Sequence, residues 1–182
     1  MILGGLDPGA TGLILLAQPL IQTIVSPMAG HFSDIIEPRI IASVGMGFTT
    51  VGLFILMVTL PDLPIPLVIG GLGVLGLGYG LFSSPNTNAI MSSVGPGDLG
   101  MASGMVATMR SVGQLVSLAI AMMVFSLLIG TAQITPAVYG ELEWSTKVIL
   151  GMFILLGVFG TAASYARGRM ERGNDGVFSS FR

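Results

Sequence analysis

The feature that most constrains this chain is the spacing of its charges. Seven basic and nine acidic residues in 182 leave uncharged stretches at residues 8–30, 40–61, 63–97, 111–140 and 148–166. Each approaches or exceeds the roughly 20 residues a helix needs to cross about 30 Å of hydrocarbon. Backbone in hydrocarbon must satisfy its own hydrogen bonds, which leaves helices or closed barrels. Barrel strands would alternate polar and apolar residues over about 10 positions, and these stretches do not. The sequence therefore predicts an all-α polytopic membrane protein with a transmembrane region over residues 1–166. Its five spans lie at about 11–32, 39–60, 66–91, 100–129 and 145–166, and a tail follows over 167–182. The connections at 33–38, 61–65, 92–99 and 130–144 carry Gly, Pro or charge that stop an apolar helix. Composition agrees: 9% of residues are charged, against about 25% in a soluble domain, and mean hydropathy is +0.89.

The same totals exclude several functions. A net charge of -2 and no run of Lys or Arg give no field for nucleic acid. The absence of Cys excludes disulfides, thiolate nucleophiles and zinc-thiolate sites. One histidine, His31, cannot build a histidine metal cluster, so no metal and no cofactor are expected. As a catalytic base it would stand at the membrane edge beside Asp34 without a nucleophile partner, and no enzymatic activity is expected. The N-terminus lacks a basic segment ahead of an apolar run and a small-residue cleavage signature, so no removable signal peptide is expected.

Orientation follows the basic residues. One side collects Arg39, Arg167, Arg169, Arg172 and Arg182, and the other only Lys147. This predicts a multi-pass cell-membrane protein with its N-terminus outside and its C-terminus cytoplasmic. Trp144 and Tyr139 then fall near the outer boundary and Tyr165 near the inner one, where amphipathic rings prefer to sit.

Polar residues inside the spans carry the functional signal, because an intramembrane charge costs a few kcal/mol or more to insert. Arg110 is such a residue. Steps of four and three join Ser103, Ala107, Arg110, Gln114, Ser117 and Ala121, while Met105, Met109, Val112, Val116 and Met123 fall on the other side. That pattern predicts a helix between a cavity and lipid. Two readings of Arg110 stand: it faces a transport pathway or gate, or it snorkels to headgroups and pins a loop carbonyl. In the third span, Gly73, Gly76, Gly80 and Ser84 form a small-residue ridge for close helix approach. Ser83, Ser84, Pro85, Asn86, Thr87 and Asn88 then follow within the same span. They predict either a kink capped within the helix or a bend at a cytoplasmic gate with Asn86 or Asn88 facing a cavity. The first span sets Gln18, Gln22, Ser26 and Gly30 at intervals of four, its glutamines seeking either water or a neighbouring helix. The last offers Gly157, Gly160 and Ser164 as a second packing ridge.

Gly30, Asp34 and Arg39 form G-x-x-x-D with an arginine five residues later. This resembles the cytoplasmic loop signature of the major facilitator superfamily, in the copy carried by its C-terminal half. Gly permits a tight helix exit, and the carboxylate suits a helix N-terminus or an arginine. The fuller pattern has Gly and a second basic residue where Glu37 and Pro38 stand. The stretch Gly76 to Gln114 is more specific. Its Gly-rich helix, Ser84-Pro85-Asn86, the loop Gly95 to Gly100, and Ala102-Ser103-Gly104 through Arg110 to Gly113 resemble two late spans of the fourteen-span drug:proton antiporters. The likeness covers about Gly12 to Arg167. It implies the final five spans of a multidrug-type efflux transporter, coupled to protons, with two halves rocking about a central site. By the same likeness the third and fourth spans would line the cavity and form part of its gate.

The family's N-terminal six helices, its antiporter signature and its proton-coupling carboxylates have no counterpart in this sequence, and no acidic residue falls within a predicted span. The expectation is a truncated or split transporter product. Its partners would be the lipid bilayer, the missing N-terminal half or another membrane protein, and a small amphipathic substrate. The alternative is a non-transporting membrane subunit that assembles with or regulates another transporter through its glycine ridges.

Overall fold

The computed structural model describes residues 7–60, 64–128 and 139–166. These form six α-helices: α1 (Pro8–Leu15), α2 (Ala17–Ile35), α3 (Pro38–Thr59), α4 (Ile65–Ser92), α5 (Leu99–Leu128) and α6 (Tyr139–Ala166). A 3-10 turn at Pro96–Asp98 leads into α5. Asp7 caps α1, its Oδ2 accepting from Gly9 N–H at 3.1 Å, and Pro8 follows where a missing N–H costs nothing. The turn at Leu16 separates α1 from α2, just ahead of Pro19, whose ring crowds the carbonyl four residues back. Together α1 and α2 supply the first of five segments long and apolar enough to cross a membrane: Gly9–Ser33, Pro38–Thr59, Ile65–Ser92, Pro96–Leu128 and Gly140–Ser164. The protein is thus an all-α, multi-pass membrane protein.

One boundary differs from the sequence reading. α6 begins at Tyr139 rather than near Ser145, because its charged first turns bond along the helix. Lys147 Nζ meets Glu143 Oε1 at 2.6 Å, and the Ser145 hydroxyl donates to Glu141 O at 2.7 Å. α4 is helical without interruption from Ile65 to Ser92, with Ser84 and Asn88 in one continuous segment. Pro85 is fully buried within it, and the Thr87 hydroxyl donates to Ser83 O at 2.8 Å. The tail 167–182 and the side chains of Tyr139 and Tyr165 lie outside the described residues.

α4 is the central helix. It packs on α2 along one face and on α3 along another, α6 packs on α3, and α5 touches both α4 and α6. Glycines set these approaches. A methyl on Gly76 would lie 2.5 Å from Gln18 O, and one on Gly80 would lie 2.9 Å from Val25 Cβ, so the predicted ridge meets α2 backbone to backbone. The glycine contacts between α4 and α3 were not read from the sequence. On the α3 side, Gly45 would meet Phe82 N at 2.6 Å, Gly78 would meet Thr49 N at 2.5 Å, and Gly52 holds Leu75. Gly157 and Gly160 of α6 face Thr50 and Met46 of α3, and nearby the buried Ser43 and Ser164 hydroxyls share a 2.9 Å hydrogen bond. Lipid offers no hydrophobic drive between helices, so such close contact and interhelical hydrogen bonds hold the bundle.

Candidate functional site

Between α4 and α5 lies a groove of about 510 Å³. From α4 come Phe82, Ser83, Asn86 and Ile90, and from α5 come Met101, Met105, Met109 and Arg110, with Val94 and Asp98 at the loop end. Arg110 Nη2 donates to Ser83 Oγ at 3.2 Å across the groove. Eleven residues separate Arg110 from the start of α5 at Leu99, or about 17 Å at 1.5 Å per residue, which places it within the span. Its side chain is exposed to the open groove, and among the described residues it forms no salt bridge. A guanidinium with a neutral hydroxyl as partner keeps its full charge and spare N–H donors for a solute.

Of the residues singled out from sequence, Asn86 joins Arg110 in this groove. Gln114 follows one turn later on α5, exposed and beyond the groove lining. The others lie on the α2 side of α4. Ser84 Oγ stands 2.9 Å from where a Gly30 methyl would be, and Asn88 donates to Ser33 Oγ at 3.3 Å. The backbone carbonyls of Gln18 and Gln22 meet the Gly76 and Gly80 ridge, leaving their side chains half-buried. In the loop motif, Gly30 lies inside α2 rather than at its exit, and its lack of a side chain admits Ser84. Arg39 Nε lies 2.9 Å from Glu37 Oε1, so the residue that departs from the fuller pattern supplies a carboxylate to the arginine. The Asp34 side chain lies outside the described residues.

Two features escaped the sequence reading. Met105 and Met109, placed on the lipid side by period, line the groove beside Arg110, because α5 turns its methionine face toward α4. The sequence reading names Ser83 among the polar residues around Pro85 without carrying it to the site, and it leaves out Tyr79. Tyr79, Ser83, Asn86 and Ile90 recur at intervals of four, three and four, a helical stripe that would have marked one face of α4. Tyr79 is 45% exposed on that stripe.

A larger groove of about 610 Å³ runs between α3 and α6, lined by Ile40, Val44, Gly47, Val51 and Val158 among others. Its hydroxyls are engaged internally: Ser43 bonds Arg39 O at 2.7 Å, Thr50 bonds Met46 O at 2.9 Å and Thr161 bonds Gly157 O at 2.7 Å. With no free polar group at its wall, it offers a solute only apolar contact. Among the described residues, no cluster of His, Asp or Glu could hold a metal ion.

Comparison with known proteins agrees with this architecture. The riboflavin transporter RibZ of Clostridioides difficile is 34% identical over 109 residues, 60% of this chain and 24% of that protein. The uncharacterized transporter YebQ of Escherichia coli is 36% identical over 105 residues, 57% of this chain and 23% of that protein. The multidrug resistance protein Stp of Mycobacterium tuberculosis is 33% identical over 116 residues, 64% of this chain and 21% of that protein. The chain thus spans about a quarter of the length of the curated relatives it matches. No solved structure matches it. The family model described as the Major Facilitator Superfamily matches residues 4–163, and with five spans packed through glycine ridges the chain belongs to that superfamily.

Proposed function

We propose that these helices are the C-terminal part of a secondary transporter of small amphipathic solutes, of the multidrug-efflux kind, in which the α4–α5 groove faces the solute pathway. The observation that carries the reading is Arg110 inside a span, bonded to Ser83 across an open groove. A charge that costs several kcal/mol to insert is retained where it lines a polar pathway. A transporter and a multidrug resistance protein among the relatives support it. Alternating access would come from the bundle rocking as a body against a partner half. Proton coupling would use carboxylates supplied by that half, since the described spans place no acid beside Arg110. The preponderance of arginine at one side supports a cytoplasmic α2–α3 loop and C-terminus.

The test is flux of an amphipathic dye in proteoliposomes carrying this chain assembled with the helices that complete the transporter. Arg110→Ala is expected to abolish flux while assembly holds. Unchanged flux would favour the other reading, a non-transporting subunit that docks through its glycine ridges.

A further inference from the structure

We infer that the α4–α5 groove selects aromatic anions over cations of the same size. The inference rests on the reading that this groove meets the solute, and adds the charge of what it accepts. Arg110 is the cation in the groove, and its Ser83 partner and the neighbouring Asn86 amide are neutral. The one carboxylate in the lining, Asp98, sits exposed in the 3-10 turn, twelve residues away. That is about 18 Å along the axis, beyond the reach of a direct ion pair, and among the described residues no salt bridge joins the two. A cation seated beside Arg110 would meet repulsion and no counter-charge. An anion would gain a charge-assisted hydrogen bond from spare guanidinium N–H groups. The walls favour a flat ring, for Phe82 faces Met101, Met105 and Met109, set at intervals of four. Exposed at 71%, 58% and 64%, these thioethers offer soft, adaptable contact to an aromatic surface.

Two dyes of one skeleton test this, 1-anilinonaphthalene-8-sulfonate and the uncharged N-phenyl-1-naphthylamine. Fluorescence titration uses the whole chain in phosphatidylcholine nanodiscs, with protein-free discs subtracted and cationic rhodamine 6G as a competitor. The expected result is a higher affinity for the sulfonate and weak competition by rhodamine 6G. In Arg110→Gln the ratio of sulfonate to neutral affinity should fall about tenfold, equivalent to about 1.4 kcal/mol, and Arg110→Lys should recover most of it. A ratio unchanged by Arg110→Gln, equal loss of both dyes, or stronger competition by the cation would overturn the inference. Flux separates the two readings. Dye flux without anion selectivity defeats this inference alone, and selective binding without flux defeats the transport reading alone.

Discussion

Arg110 and Ser83 show how little polar chemistry the bundle places in its spans and how directly it is aimed. The 3.2 Å bond between them fixes one edge of the guanidinium and leaves the others in the groove. Ser83→Ala should release that edge without removing the charge. A net hydrogen bond of about 1 kcal/mol predicts a roughly fivefold loss of dye flux, well short of the loss in Arg110→Ala. Equal losses would mean that Ser83 contributes more than positioning. Glycines give a second contrast at this scale. Gly76→Ala would press a methyl to 2.5 Å from Gln18 O, a backbone atom that cannot rotate away. It should destabilise the bundle by about 1–3 kcal/mol. Gly70 has open space where its methyl would go, and Gly70→Ala should be neutral or stabilise by up to about 1 kcal/mol through helix propensity. Titration of helicity with denaturing detergent distinguishes the two. Period made the Gly73, Gly76 and Gly80 ridge legible in the sequence, whereas the 78 and 45 contact needed the partner helix in view.

α4 carries three tasks on three faces. Glycines meet α2 on one and α3 on another, and Tyr79, Ser83, Asn86 and Ile90 recur along a third. A single helix period does not say which face meets which neighbour. From spacing alone Ser83, Ser84, Asn86 and Asn88 read as one polar group, and the fold divides them: Ser83 and Asn86 go to the groove, Ser84 and Asn88 to α2. Likewise, the polar and methionine sides of α5 are separable from spacing alone, but the side that meets α4 is set by how α5 leans on α4 and α6. Between α3 and α6, Ser43 and Ser164 are buried together. Ser164→Ala should cost about 0.6 kcal/mol, the usual worth of an interhelical hydrogen bond in lipid. Gly157→Leu, which drives a side chain into Thr50, should cost more and detach α6. Cross-linking between single cysteines on α3 and α6 reads both, and the absence of native Cys leaves no background. A larger loss from Ser164→Ala than from Gly157→Leu would contradict this order.

At the scale of the molecule, α5 buries only Ala102 and Val124 among its 30 residues and presents much apolar surface outward. Lipid or further helices must cover it, in keeping with a chain that matches about a quarter of its relatives. Orientation is tested on exposed positions at opposite ends: Glu141→Cys should react with an impermeant maleimide in intact cells, and Ile36→Cys only after permeabilisation. The reverse pattern would invert the topology. What the sequence determined by itself is the solvent and the element type, because the spacing of charges and the need for internal hydrogen bonding admit little besides apolar helices in a bilayer. It also marked Arg110, since an unusual energetic cost shows without coordinates. Only the tertiary structure decided which faces meet. It seated Arg110 against Ser83, turned Met105 and Met109 into the same groove and gave Arg39 the carboxylate of Glu37. Burial of a helix face depends on its neighbours, and in a membrane hydrophobicity does not distinguish a lipid-facing side from a packed one.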